Sequence, residues 1–371
     1  MTHRARRFAA ALLLSVATAV GTGVPSLAQA QVYASPNPPN YASIVVDAST
    51  GEVLYAKRAD SPRYPASITK VMTMYLAFEA MAAGKLKGDD IIVVSPRAAA
   101  QPPSKLGLRA GETITVNDAL SALAVQSAND VSVAVAEKIA GTEQRFAALM
   151  TLRAQELGMK STRFVNPHGL PDSRQLSSAR DIAILSRAVM RDFPQYYSRF
   201  GQRSFRGHNN HNRLLHRMPG VDGLKTGFTN ASGYNLAASA VRDGRRLIAV
   251  VLGGTTGAAR DAHTADLLNA GFAVMARRGR GERIELASMF PESAPVLAAV
   301  KPTFEQGDNQ PEKPTRAEAR ELAMALPESK LTAKLRGAQA LDETKTKDAK
   351  TKDAKGKDAK GKEAKTEKAR A

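Results

Sequence analysis

The chain of 371 residues contains no cysteine. This absence excludes disulfide bonds, thiolate nucleophiles and metal sites with cysteine ligands, and it leaves the redox environment undetermined by this route. Tryptophan is absent as well. Long apolar runs are also missing, because a spanning helix needs about 20 apolar residues and the longest run covers only residues 8–20. We therefore expect the mature protein to be soluble or peripheral to a membrane.

Acidic residues are few relative to basic ones. Thirty-five Asp and Glu oppose 53 Lys and Arg, which gives a net charge of +18. Such a balance predicts an acidic partner, such as nucleic acid, anionic lipid or cell-wall polymer. Hydrophobic residues make up 43% and charged residues 24%, values typical of globular domains. Any disorder must therefore be local.

The N-terminus predicts export. Three arginines precede the apolar run, and Ala28-Gln29-Ala30 has the small residues of a cleavage site. We expect residues 1–30 to be a signal peptide and the mature chain to begin near Gln31. A membrane anchor is the competing interpretation, but the run is too short for one.

The C-terminal residues 342–371 are near-repeats of Lys, Asp, Ala, Thr, Gly and Glu with 11 basic and 7 acidic side chains. This composition predicts a disordered, lysine-rich tail. The tail serves either solubility or attachment to an anionic cell-wall or membrane surface, and the second role would weaken with salt. Residues 283–341 are expected to form a linker or a short amphipathic helical region, which Pro327 would interrupt.

Apolar spacing predicts an α+β domain over residues 31–282. Residues 42–56 form a hairpin around a Gly-containing turn, and residues 234–252 form a second hairpin. The spacing from 70 to 215 is mostly helical, and 260–276 predicts a closing helix. Strands at both ends with helices between them favour an antiparallel sheet with an inserted helical subdomain. The cleft between the two is the expected site.

Ser67 and Lys70 are the first candidates for chemistry. Ser67 lies at a predicted helix start, and residues three apart share a helix face, so the amine lies beside the hydroxyl. A serine becomes nucleophilic when a base takes its proton, and lysine is such a base when burial or nearby cations lower its pKa. Alone, Ser-x-x-Lys is a weak motif, because serine is also an ordinary N-cap residue.

Two further motifs strengthen the hypothesis. Ser127 and Asn129 are two residues apart, so one can relay protons while the other holds a substrate amide. Lys225 and Thr226 lie on a predicted strand, where a cation and a hydroxyl can bind a carboxylate. Gly227 would let a ligand backbone approach closely. The structural alternatives for these motifs are a turn and an edge-strand lysine.

Together the motifs resemble the Ser-x-x-Lys, Ser-x-Asn and Lys-Thr-Gly set of penicillin-binding proteins. The chain resembles the serine D-alanyl-D-alanine carboxypeptidases, the low-molecular-mass penicillin-binding proteins of peptidase family S11, over about residues 40–280. The likeness extends to Asn166-Pro167-His168-Gly169-Leu170, Asn212-Arg213-Leu214-Leu215 and Val221-Asp222-Gly223-Leu224. The resemblance implies a penicilloyl-serine-transferase, or β-lactamase-like, fold.

The same resemblance implies roles for these residues. Ser67 attacks the penultimate D-Ala carbonyl of a peptidoglycan stem pentapeptide, with neutral Lys70 as the base, and releases the terminal D-Ala. Ser127 passes a proton to the leaving amine, and Asn129 holds the substrate amide. The substrate-binding residues Lys225, Thr226 and Gly227 receive the terminal carboxylate. The backbone N–H groups of Ser67 and Phe228 form the oxyanion hole.

The resemblance also implies a place and a class of ligand. It predicts a protein of the bacterial periplasm or cell envelope that binds β-lactam antibiotics covalently. Ala128 replaces the Asp of the Ser-Asp-Asn form, and Phe228 stands where some relatives have His. No Glu-x-x-x-Asn element of the kind used by class A β-lactamases is found in residues 31–282, so a penicillin should stay attached to Ser67.

Other functions find less support. His208, His211 and His216 could suggest a metal site, but without a carboxylate pattern we expect a polar loop lining the cleft and no metal or cofactor. Residues 253–257 lack the Gly-Lys-Ser/Thr ending of a phosphate loop and predict a strand-to-helix turn. Export and the lack of an aromatic stacking motif argue against nucleic acid. A D,D-endopeptidase that cleaves cross-links, and a non-catalytic wall-binding protein, remain the alternatives.

Overall fold

The computed structural model describes residues 40–290. The strands in this part of the chain are β1 (Ala42–Asp47), β2 (Val53–Lys57), β3 (Ile91–Val93), β4 (Thr113–Thr115), β5 (Ser204–Phe205), β6 (His208–Asn209), β7 (Val221–Thr229), β8 (Gly233–Arg242) and β9 (Arg245–Gly254). The α-helices are α1 (Lys70–Ala82), α2 (Pro96–Ala99), α3 (Val116–Val125), α4 (Asn129–Ala140), α5 (Glu143–Leu157), α6 (Ala179–Asp192), α7 (Leu214–Arg217), α8 (Gly257–Gly279) and α9 (Leu286–Met289).

A five-stranded antiparallel sheet brings the two ends of the described chain together. Its strand order is β2-β1-β9-β8-β7, so the first hairpin joins the second through the pairing of β1 with β9. The turn between β1 and β2 forms because the Asp47 carboxylate accepts hydrogen bonds from the backbone N–H groups of Ser49 and Thr50. Both predicted hairpins are confirmed.

Both faces of the sheet are buried, and the sequence alternation assigns each side chain to one face. Ile248, Val250 and Leu252 of β9 pack with the helices inserted between β2 and β7, whereas Leu247 and Val251 pack against α8. The sheet therefore lies between α8 on one face and a group that includes α1 and α6 on the other. Helices α2 to α5 extend this second layer into the helical subdomain, which leaves a cleft beside β7.

Several element boundaries differ from the sequence prediction. The predicted helix over 260–276 runs from Gly257 to Gly279, because Thr256 caps its N-terminus by accepting from the Ala259 N–H. The chain before α1 is a 3₁₀ turn, Ala66–Thr69, and the mostly helical middle also contains the β3–β4 and β5–β6 hairpins. Packing continues to Phe290, whose ring stacks on Tyr55 at 4.9 Å.

Some predictions lie outside residues 40–290. These are the signal peptide at 1–30, most of the region 283–341 and the tail at 342–371. Within the described residues, no helix is long and apolar enough to cross a bilayer.

Candidate active site

A cleft of about 780 Å³ lies where β7 meets the helical subdomain. Six of the eight residues singled out from the sequence line it, namely Ser67, Ser127, Asn129, Thr226, Gly227 and Phe228. The other two, Lys70 and Lys225, are buried beneath its floor, with 0% and 1% of their surface exposed. The structure therefore brings all three motifs to one place.

The local backbone places Ser67 beside Lys70. Residues three apart eclipse one another in a 3₁₀ helix, and the 3₁₀ turn that carries Ser67 ends where α1 begins at Lys70. The Lys70 Nζ lies 3.2 Å from the Ser67 Oγ. Ala66 has a φ of 48°, a conformation that a non-glycine residue adopts only when its surroundings impose it. The nucleophile segment is thus held by packing.

Lys70 has two closer hydrogen-bond acceptors than Ser67. Its Nζ donates to the Asn129 Oδ1 at 2.8 Å and to the His168 carbonyl at 2.7 Å. Burial lowers the pKa of Lys70 well below its usual range, and the charge of Lys225 lowers it further. A neutral amine has two N–H groups, and both are taken by these acceptors. Its lone pair is then directed at the Ser67 hydroxyl.

Ser127 lies just before α4, and Asn129 is the first residue of that helix. Ser127 has a φ of 61°, is 4% exposed, and its hydroxyl has no hydrogen-bond partner within residues 40–290. Both polar atoms of the Asn129 side chain bond to the protein, since its Nδ2 donates to the Pro102 carbonyl while its Oδ1 accepts from Lys70. Asn129 therefore orients the base and anchors the facing loop at Pro102, in addition to the substrate role expected of it.

Lys225 and Thr226 occupy neighbouring positions on β7. The Thr226 side chain lines the cleft, whereas the Lys225 Nζ is buried and donates to the Thr226 carbonyl at 3.3 Å. Burial lowers the pKa of Lys225 to about 7, and the nearby charge of Arg260 adds to the shift. The Lys225 amine therefore changes its charge near neutral pH.

Gly227 is needed for packing within the protein. A Cβ at this position would lie 2.9 Å from the Pro65 carbonyl oxygen and 3.0 Å from the Ser67 nitrogen. The missing side chain lets β7 contact the nucleophile segment directly, which brings the Ser67 amide beside the strand that carries Phe228. The sequence suggested close approach of a ligand, whereas the structure shows close approach of the chain itself.

Phe228 is one of the few large apolar side chains exposed in the described residues. It is 48% exposed at the cleft, and its ring centroid lies 4.3 Å from that of Tyr234. The pair forms an aromatic surface beside the backbone amide expected to serve the oxyanion hole.

A buried pair behind Lys70 was not identified from the sequence. The His168 Nε2 lies 3.2 Å from the Glu143 Oε1, and its Nδ1 accepts from the Leu170 N–H. Burial lowers the pKa of His168, which favours the neutral ring, and because Nδ1 accepts a hydrogen bond the ring proton is assigned to Nε2. These bonds fix the loop whose carbonyl holds Lys70. The Asn-Pro-His-Gly-Leu segment was the only sequence signal, and it gave no role for the histidine.

The structure places two of the three histidines of the predicted polar loop at the cleft. His211 and His216 line the cleft. No group of three or more His, Cys, Asp or Glu residues that could hold a metal ion occurs in residues 40–290.

Known proteins match the part of the chain that carries these motifs. The family model for D-alanyl-D-alanine carboxypeptidases, Peptidase_S11, matches residues 30–256. D-alanyl-D-alanine carboxypeptidase DacF of Bacillus subtilis is 36% identical over 68% of this chain and 71% of its own length. DacA of Escherichia coli is 39% identical over 62% of this chain, and the match spans 60% of DacA.

Solved structures show the same likeness. Penicillin binding protein 5 from Haemophilus influenzae is 37% identical with a TM-score of 0.61, and the match covers 62% of this chain and 70% of that one. Penicillin-binding protein D2 from Listeria monocytogenes, solved in an ampicillin-bound form, is 31% identical with a TM-score of 0.55 over 62% of this chain and 96% of that one.

Proposed function

The chain belongs to the D-alanyl-D-alanine carboxypeptidase family of serine hydrolases, and on that premise we propose that it removes the terminal D-Ala of peptidoglycan stem peptides through an acyl-enzyme on Ser67. The family resemblance and the penicilloyl-serine-transferase fold expected from the sequence are confirmed. The observation that carries the proposed mechanism is the position of Lys70, 3.2 Å from the Ser67 hydroxyl and held by two other acceptors.

Acylation begins with proton transfer from Ser67 to Lys70. Because Asn129 and His168 hold both N–H groups of the neutral amine, its lone pair takes the hydroxyl proton as Ser67 attacks the penultimate D-Ala carbonyl. The backbone N–H groups of Ser67 and Phe228 stabilise the oxyanion. Removal of one such donor typically costs about 3 kcal/mol of transition-state stabilisation.

Departure of D-Ala requires a proton and a carboxylate site. The Ser127 hydroxyl, which has no other partner in the described residues, passes a proton to the leaving amine. Lys225 as a cation and Thr226 through its hydroxyl bind the terminal carboxylate. Water then hydrolyses the Ser67 ester and frees the enzyme.

β-Lactams follow the first half of this path. Their strained amide acylates Ser67, but no leaving group departs, and residues 31–282 contain no Glu-x-x-x-Asn element of the kind that activates water in class A β-lactamases. We expect a long-lived penicilloyl-enzyme.

The place of action is part of the proposal. Residues 1–30 predict export to the periplasm, where the stem peptides lie, and the lysine-rich tail at 342–371 would bind an anionic cell-wall or membrane surface.

Release of D-Ala tests the function. The purified protein should release D-Ala from a pentapeptide mimic, and Ser67→Ala should abolish the release. Comparison with a purified cross-linked muropeptide dimer distinguishes an endopeptidase, which would cleave the dimer faster. Binding to wall fragments without release of D-Ala would identify a non-catalytic wall-binding protein and refute the proposal.

A further inference from the structure

Helix α7 presents a basic face to the cleft. Arg213 lies directly before the helix in an α-helical conformation, so Arg213, His216 and Arg217 share one side at i, i+3 and i+4 spacing. All three line the cleft. Leu214 and Leu215 are buried in the opposite direction, in the cluster beneath α8. This packing fixes the helix with its cations toward the cleft.

Within residues 40–290, the guanidinium groups of Arg213 and Arg217 have no partner. Most arginines of residues 40–290 form ion pairs or hydrogen bonds, as Arg260 does with Asp261 at 2.7 Å. Neither the Arg213 nor the Arg217 side chain has an ion pair or a hydrogen bond to any described residue. No Asp or Glu of the described chain lines the cleft. Two cations therefore face a cavity that offers them no counter-charge.

The arginines line the cleft that also holds residues assigned to the leaving group. Both share it with Arg260 and with Thr226, which is assigned to the terminal carboxylate. Burial, and after it the charge of Arg260, lowers the pKa of Lys225, the second residue assigned to that carboxylate. The terminal carboxylate of D-Ala needs only this inner group of Lys225 and Thr226. Arg213 and Arg217 therefore add positive charge beyond what one carboxylate requires.

We propose that Arg213 and Arg217 form a second anion-binding subsite, which takes a side-chain carboxylate on the leaving residue. The inference rests on the proposed function and names a substrate class for the same cleft: acyl-D-Ala peptides whose final residue carries two negative charges. The reaction is unchanged, since the peptide bond before the leaving residue breaks, water supplies the hydroxyl of the new acid, and the amine departs with a proton.

The test compares two peptides that differ only in charge. Diacetyl-Lys-D-Ala-D-Glu and diacetyl-Lys-D-Ala-D-Gln are nearly isosteric, and each is used to compete with benzylpenicillin for Ser67, so binding is measured whether or not the peptide is cleaved. In wild-type protein at low salt we expect the D-Glu peptide to compete about five- to tenfold better than the D-Gln peptide. This ratio of competition constants should fall toward one in about 0.5 M salt.

Matched variants locate the effect. Arg213→Gln with Arg217→Gln should bring the ratio to about one. Arg245→Gln with Lys138→Gln removes the same number of positive charges from two exposed sites that do not line the cleft, and should leave the ratio as in wild type. An equal ratio in wild type, or an unchanged ratio in the double variant, would overturn the subsite while leaving D-Ala release intact. Failure of Ser67 to react with benzylpenicillin would overturn the proposed function itself, and the subsite with it.

Discussion

Two buried lysines with lowered pKa values have opposite tasks in the site. Lys70 must be neutral to accept the Ser67 proton, whereas Lys225 must be charged to bind a carboxylate. Burial is the main cause of both shifts, and the additional cation is Lys225 for Lys70 and Arg260 for Lys225. The lowered pKa of Lys70 suits a base, and the pKa of about 7 for Lys225 leaves it partly charged at neutral pH.

The opposite tasks predict a bell-shaped pH profile of acylation by benzylpenicillin. The rate should rise with pH as Lys70 loses its proton, and it should fall above about pH 7 as Lys225 loses its charge. Stopped-flow measurement of the second-order acylation rate from about pH 5 to 10 checks the shape of this profile. The methyl ester of benzylpenicillin has no carboxylate for Lys225 to bind, so its profile should lack the fall at high pH. Identical profiles for acid and ester would contradict the role of Lys225.

Residue spacing predicts part of this site and misses the rest for a physical reason. Residues three apart lie on the same side of a helix, so the contact of Ser67 with Lys70 follows from the local sequence alone. The acceptors Asn129 and His168 lie 59 and 98 residues from Lys70. Such contacts depend on tertiary packing, and no periodicity in the chain encodes them.

At the scale of elements, two glycines let three segments meet around the nucleophile. Gly227 brings β7 against the 3₁₀ turn, and Gly169 brings the loop before α6 against the same turn. At Gly169, φ is +89° and a Cβ would lie 2.0 Å from the Ala66 carbonyl oxygen. Backbone contacts this close are possible only without a side chain.

Gly169→Ala should therefore slow acylation of Ser67 at least tenfold, because the displaced loop carries the carbonyl that holds Lys70. Gly158→Ala is the matched control. Gly158 has a similar φ of +86° at the end of α5 but nothing within 4 Å of its Cβ position, so its variant has the backbone strain of about 1–2 kcal/mol without the clash. Equal acylation rates in the two variants, at matched folding, would show that the loop does not position Lys70.

The elements differ in how far they could be predicted. Strands β1, β8 and β9 follow from apolar runs with turn residues between them, and α8 from its helical spacing. The β3–β4 hairpin escaped prediction because its strands have three residues each and Ile91 and Val93 are exposed, so no buried alternation marks them. The 3₁₀ turn before α1 escaped because its apolar pattern continues that of the α-helix.

For the whole molecule, the buried lysines lower stability in exchange for reactivity. In the folded protein the pKa of Lys225 is about 7, whereas an unfolded lysine has a pKa of about 10.4. Between these values the unfolded state binds more protons, so the free energy of unfolding should rise with pH over this window. Below pH 7 the full destabilisation remains.

Lys225→Met should consequently raise the melting temperature at pH 7 by roughly 5 °C or more, since a few kcal/mol of stability correspond to 2–4 °C each in a domain of this size. The gain should shrink toward pH 10, and D-Ala release should be lost. Lys138→Met, at an exposed position on α4, should change the melting temperature little at any pH. Calorimetry of both variants checks the prediction, and a gain that is independent of pH would contradict it.

The fold class was the part best predicted from the sequence, because strands at both ends of a helical middle admit few antiparallel arrangements. The arrangement of the layers was not predicted from the sequence. The structure shows that one face of β9 contacts α8 and the other contacts the inserted helices.

Covalent labelling tests the central claim most directly. The protein is incubated with benzylpenicillin at neutral pH, digested, and mapped by mass spectrometry. We predict one penicilloyl adduct, on Ser67, and none in Lys70→Arg, whose guanidinium keeps its charge and cannot accept the serine proton. An adduct on another side chain, or undiminished labelling of Ser67 in Lys70→Arg, would contradict the account.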